Sequence, residues 1–137
     1  MTPDASSNPD ARKISELLAD IPYVQLAVLF GSMARGTAKA DSDIDVAVQA
    51  NRELSADERI ALVEALALAF NRPVDLIDLR TAGQPLLDQI VRTGIPVVGT
   101  QTLWGELIYR NIMDNEDFVP YQQRILSGRR NAWINNS

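Results

Sequence analysis

Asp43 and Asp45 stand two residues apart at the head of Asp43-Ile44-Asp45-Val46-Ala47-Val48. Ile44, Val46 and Val48 alternate as the apolar face of a strand, so both acids share the opposite face. Their Cα atoms then lie roughly 6.6 Å apart, two strand rises. Without a cation the carboxylates repel, at a cost on the order of 2.8 kcal/mol for ~6 Å and an effective dielectric near 20. A hard divalent metal with oxygen ligands, most simply Mg2+, accounts for a strand that holds both.

Upstream, the apolar run Val28-Leu29-Phe30 breaks at Gly31-Ser32. Gly31 lets a ligand approach the backbone closely. Ser32 opens a short helix whose first N–H groups and hydroxyl face outward, which makes an anion site. An anion site beside a metal-binding carboxylate pair is what phosphoryl chemistry requires. The bland alternative, a surface hairpin with solvated acids, leaves both the spacing and the Gly-Ser pair unexplained.

The elements that position these groups follow from the pattern around them. A helix starts at Asn8-Pro9-Asp10, with Asn8 as cap, and buries Ile14, Leu17, Leu18 and Ile21. The first strand runs from about Val24 to Phe30 and is apolar enough for a central position. The second covers Asp43 to Gln49. Ser55 and Glu58 form a capping box for a helix to about Phe70, with Ile60, Leu62, Val63, Leu66 and Phe70 as its buried side. A third strand spans Val74 to Leu79, with Val74, Leu76 and Asp78 on one face and Asp75, Ile77 and Leu79 on the other. A helix from roughly Gln84 to Thr93 stops at Gly94. Ile95-Pro96-Val97-Val98 is a short strand that Pro96 places at an edge. Leu103, Trp104, Leu107, Ile108 and Ile112 have helical spacing.

The fold class is therefore α/β (or α+β): a small mixed sheet of about four strands with helices packed on it. Residues 1–137 read as a single domain, with 1–8 as a frayed leader and 114–137 as a helical tail. In that tail, Phe118, Tyr121, Ile125 and Trp133 mix with Arg124, Arg129 and Arg130. They serve either to hold a partner or the nucleotide, or to close the core.

Composition excludes much else. The chain has no Cys and no His, which removes thiol catalysis, Ser-His-Asp triads and ordinary zinc sites. A formal net charge of −5 argues against broad nucleic-acid binding. No apolar run approaches the ~20 residues of a membrane span, and the first residues do not read as a signal peptide. A cytoplasmic location is the expectation.

Phe30-Gly31-Ser32-Met33-Ala34-Arg35-Gly36, followed by Ser42-Asp43-Ile44-Asp45-Val46, resembles the signature of the DNA polymerase beta nucleotidyltransferase superfamily. The short chain and this wording are similar to its minimal nucleotidyltransferase (MNT) branch, which includes MntA-type antitoxins paired with HEPN-domain (HepT-type) toxins. The resemblance implies a polymerase-beta-like nucleotidyltransferase fold. It also implies transfer of a nucleoside monophosphate from ATP with release of pyrophosphate, and two Mg2+ ions held by Asp43, Asp45 and Asp75. Asp75 matches the family's third carboxylate in a Val-Asp-Leu context and would serve the acceptor hydroxyl. Gly31 and Ser32 would hold the β and γ phosphates, with Arg35 as a further phosphate partner or a solvated loop charge. Lys39 reads as solvated, and Asp78 as a strand-end or helix-cap hydrogen-bonding group. The acceptor implied is a tyrosine hydroxyl of a HEPN ribonuclease toxin. Two other readings stand beside it: a small-molecule nucleotidyltransferase of the antibiotic-modifying kind, and a non-catalytic antitoxin that acts by binding.

Overall fold

The structure, a computed structural model, describes residues 7–115. The tail residues Phe118 to Trp133 and most of the expected leader lie outside that range. Asn8, at the end of the expected leader, is held firmly. Its side chain accepts from the N–H groups of Asp10 and Ala11 and so caps α1 (Pro9–Ala19). Its Nδ2 donates to the Met33 carbonyl at 3.2 Å.

The order continues with β1 (Leu26–Phe30), α2 (Ser32–Arg35), β2 (Ile44–Gln49), α3 (Ala56–Phe70), β3 (Val74–Asp78), α4 (Leu86–Thr93) and β4 (Ile95–Val98). Residues 101–115 are helical and are called α5. The strands form one mixed sheet in the order β3-β2-β1-β4. β1 runs antiparallel to β2 and to β4, and β2 runs parallel to β3. A parallel pair needs a crossover, and α3 supplies it. β4 lies at an edge, as Pro96 requires.

Every residue of β1 is buried, because both faces of the sheet are covered. On one face Ile14 and Leu18 of α1 and Leu62 and Leu66 of α3 pack on Ala27, Leu29, Val46 and Val48. On the other, Leu87 and Ile90 of α4 and Trp104 and Leu107 of α5 pack on Leu26, Val28, Phe30 and Ala47. At about 25 cal/mol per Å² of apolar surface, each fully buried Leu or Ile contributes roughly 1.5–3 kcal/mol.

Several sequence expectations shift in detail. The capping box is present: the Ser55 hydroxyl accepts from Glu58 N–H at 3.1 Å, and Glu58 Oε1 accepts from Ser55 N–H at 2.9 Å. Ile60 is not part of the buried side of α3 and is 55% exposed. Two positions separate it from Leu62, which is about 200° around the helix. Leu68 is 84% exposed on the same helix. Gly94 ends α4, but its backbone is extended rather than left-handed. It must be glycine because a Cβ there would collide with the Ile90 carbonyl oxygen and the Val28 side chain. Among the described residues no helix is long and apolar enough to cross a membrane.

β3 is the other edge strand. Arg59 reaches over from α3 and donates from Nη1 to the Leu76 carbonyl at 2.8 Å. The Asp78 carbonyl accepts from the N–H groups of Thr81 and Ala82 in the turn that follows.

Candidate active site

The topology brings three strand ends together. Phe30, the last residue of β1, pairs with Asp45 near the start of β2. Asp45 in turn pairs with Asp75 near the start of β3. Neighbouring strands lie about 4.8 Å apart, so one strand spacing separates the two backbones that carry Asp45 and Asp75. Ala47 and Ile77, two residues further along the same faces, pack under α4 and α5. Asp43, Asp45 and Asp75 share that face by period-two alternation, just beyond the helical cover. The site thus lies at one end of the two central strands rather than along a lateral edge, and only Asp75 comes from an edge strand.

Asp43 and Asp75 are exposed and Asp45 is half-buried. Burial first, then the charge of Asp75, then that of Asp43, push the Asp45 carboxyl above the ordinary carboxylate range. The Arg35 guanidinium acts in the opposite direction. Arg35 is therefore near enough to the cluster to be felt, although it is exposed on the last turn of α2.

Gly31 and Asp45 fit one another. Gly31 has φ +75° and ψ −155°, a conformation that L side chains avoid. A Cβ on it would overlap the Asp45 Oδ2 atom and lie 3.0 Å from the Asp45 Cγ. The missing side chain makes room for the carboxylate. The chain then enters α2 at Ser32, whose carbonyl accepts from the Gly36 and Thr37 N–H groups. Ser32 is half-buried, and Met33 anchors the short helix in the core.

Asp78, the other acid of β3, does not join this cluster. It is 2% exposed and faces the opposite side of the strand. Its Oδ2 accepts from Leu54 N–H at 2.8 Å and its Oδ1 from Arg80 N–H at 2.9 Å. It ties the approach to α3 to the end of β3, the hydrogen-bonding role expected for it. Lys39 is exposed, and its backbone N–H donates to the Ser42 hydroxyl at 2.7 Å.

Arg72 reads in the sequence only as part of a turn. In the structure its Nη1 donates to the Lys39 carbonyl at 2.9 Å and lies 3.4 Å from the Ser42 carbonyl. Local periodicity carries no signal for such a contact, because the partners are about thirty residues away. A second unanticipated group joins α4 to α5. Asp88 Oδ1 accepts from the amides of Asn111 and Asn115 at 3.0 and 3.1 Å, and Gln84 donates to Asn111 Oδ1 at 2.8 Å.

The acidic cluster suits a hard cation only in part by itself. Among the described residues no three acidic side chains converge tightly enough to enclose a metal ion unaided. Yet the charges of Asp75 and Asp43 are both felt at Asp45. Mg2+ fits that pattern, since it keeps several waters and typically takes one or two carboxylates plus substrate phosphates.

Comparison with known proteins bears on the family. The family model described as polymerase beta, nucleotidyltransferase, matches residues 12–103, which include all of these groups. The protein adenylyltransferase MntA of Shewanella oneidensis is 47% identical over 90 residues, 65% of this chain and 65% of that protein. The match thus spans just under two thirds of that relative's length. A chain of a toxin–antitoxin crystal structure with AMP-PNP is 38% identical with a TM-score of 0.75, covering 86% of this chain and 96% of that one. A chain of the complex between a tri-AMPylated Shewanella oneidensis HEPN toxin and its MNT antitoxin is 36% identical with a TM-score of 0.57. That match covers 91% of this chain and 92% of the other. The chain belongs to the polymerase beta nucleotidyltransferase family, in its MntA-type minimal branch.

Proposed function

We propose that this protein is a protein adenylyltransferase. It transfers AMP from ATP to a tyrosine hydroxyl of a HEPN-domain ribonuclease toxin and so acts as the antitoxin of the pair. The observation that carries this reading is the pairing of Asp45 with Asp75 on adjacent strands, with Asp43 two residues before Asp45, beside a backbone turn shaped around Asp45. The names of the relatives, an adenylyltransferase and antitoxins in complex with toxins, support it.

In the reaction the tyrosine oxygen forms a bond to the α-phosphorus. The bond from that phosphorus to the oxygen bridging the β-phosphorus breaks, and pyrophosphate leaves. Asp43 and Asp45 would hold Mg2+, and Asp75 would complete the site for a second ion. When bound, Mg2+ neutralises phosphate charge and makes the hydroxyl more acidic. Asp75 would accept the hydroxyl proton, directly or through water. Gly31 and Ser32 would seat the β and γ phosphates, because the turn offers a close backbone approach and a hydroxyl. Arg35 adds positive charge on the same side. The partner contributes the acceptor and much of its surroundings. An added nucleotide would disable the toxin through bulk and negative charge at its RNA site.

The test is incubation with labelled ATP, Mg2+ and the protein encoded beside its gene. Label on a tyrosine of that partner, lost in Asp43→Asn and Asp45→Asn, is the expected result. Label appearing on a small-molecule hydroxyl, or tight partner binding with no label, would overturn the reading.

A further inference from the structure

The loop between α2 and β2 delivers Asp43 to the cluster, and a single side chain from another part of the chain braces it. Arg72 sits in the turn between α3 and β3. Its Nη1 meets the carbonyls of Lys39 and Ser42, at 2.9 and 3.4 Å. The loop closes on itself between the same two residues, through Ser42 N–H to the Lys39 carbonyl at 3.1 Å and Lys39 N–H to the Ser42 hydroxyl at 2.7 Å. Two residues beyond Ser42, Ile44 N–H donates to the Pro73 carbonyl at 2.9 Å, which begins the β2–β3 ladder. Asp43 is thus flanked on both sides by contacts to the Arg72-Pro73 turn.

We propose that Arg72 is a positioning residue for Asp43. It fixes the loop so that the Asp43 carboxylate is held toward the cation site before nucleotide and metal arrive. The physical case is entropic. Asp43 is exposed and precedes the first residue of β2, so neither packing nor a ladder hydrogen bond of its own restrains it. Fixing one backbone residue is costly, and a donor aimed at two carbonyls of a tight turn lowers that cost at the moment of binding. Arg is suited to this because it never loses its charge and keeps several donors in one plane. The inference rests on the proposed role of Asp43 as a metal ligand, and its test separates the two.

The probe is Mn2+ titrated into the whole chain with the non-hydrolysable ATP analogue AMP-PNP, with free Mn2+ read by its paramagnetic resonance. Asp43→Asn should abolish high-affinity binding; if it does not, the metal-ligand reading falls and this inference falls with it. Given that loss, Arg72→Met should weaken Mn2+ affinity about tenfold, the scale of one charge-assisted hydrogen bond, in a protein that remains folded at the temperature of the titration. Arg72→Lys, which restores a cationic donor, should recover most of the affinity. Unchanged affinity in Arg72→Met beside a clear loss in Asp43→Asn would overturn the inference while leaving the metal site standing. Should Arg72→Met fail to fold, Arg72→Gln is read by amide hydrogen exchange. Faster exchange confined to residues 42–44 supports local bracing, whereas uniform acceleration that includes β1 would overturn it.

Discussion

The Asp45 carboxyl occupies the space that any side chain on Gly31 would need. Gly31→Ala therefore meets two penalties at once, a positive φ and a clash. It should destabilise the fold by about 1–3 kcal/mol in chemical denaturation. Asp45→Ala removes the colliding carboxyl, so the double variant should be more stable than the sum of the single changes implies. Strict additivity would show that the two residues are not in contact.

Asp43→Asn and Asp45→Asn should each nearly abolish nucleotide transfer while the metal-free proteins stay folded. The pH dependence sharpens this for Asp45. Its folded pKa is raised, so its ionised form opposes folding above that pKa, and the penalty disappears as pH falls below the ordinary value of 3.8. Metal-free Asp45→Asn should thus be more stable than wild type at neutral pH, with the gap closing in acid. Added Mg2+ and ATP should stabilise wild type and leave the variant behind. A variant that simply unfolds would make the pair structural.

Asp75→Asn should also cripple transfer, yet bind Mg-ATP better than the other two variants. It comes from the edge strand and serves the acceptor side in the proposed reaction. Calorimetric titration with the three variants ranks them, and an Asp75→Asn affinity as poor as that of Asp43→Asn would refute the division of labour.

Asp78 predicts the reverse behaviour. Asp78→Ala leaves the buried Leu54 N–H and the part-buried Arg80 N–H without an acceptor. The expected cost is about 2–4 kcal/mol in urea denaturation, with the transfer rate per folded molecule retained. Lost transfer at full stability would move Asp78 into the site.

Glu58 is held at about 2 by the Arg52 guanidinium and the Ser55 N–H, against an ordinary value of 4.5. A lowered folded pKa contributes stability that is present above the unfolded value and is lost as pH falls through about 2. Glu58→Gln should flatten the pH dependence of stability in that window, as measured by denaturant midpoints.

Much of this was legible in the chain because the signals were local. Alternation at residues 44–48 put Asp43 and Asp45 on one face, and alternation at 74–79 put Asp75 and Asp78 on opposite faces; that Asp75 belongs with the first two came from the family resemblance. The Ser55–Glu58 box and the Asn8 cap are contacts within one turn. What local patterning could not show was the strand order that sets Asp45 opposite Asp75, since pairing across long separations leaves no periodic trace. Ile60 misled because α3 is apolar on most sides, so hydrophobicity did not single out its buried face. Arg72 and the Asp88–Asn111–Asn115 group escaped because polar residues in a turn or on a helix carry no mark of a distant partner.

The edge strand that carries Asp75 is also defended. A foreign strand aligning with β3 would look for outward carbonyls, and it would find that of Leu76 taken by Arg59 and that of Asp78 taken by its own turn. Sheet extension is the common route by which an open edge recruits other chains into aggregates. Arg59 therefore occupies one of the edge carbonyls that an added strand would need, without touching the acidic cluster. Visitors to the acidic cluster must come in across the strand ends, not by adding a strand alongside it.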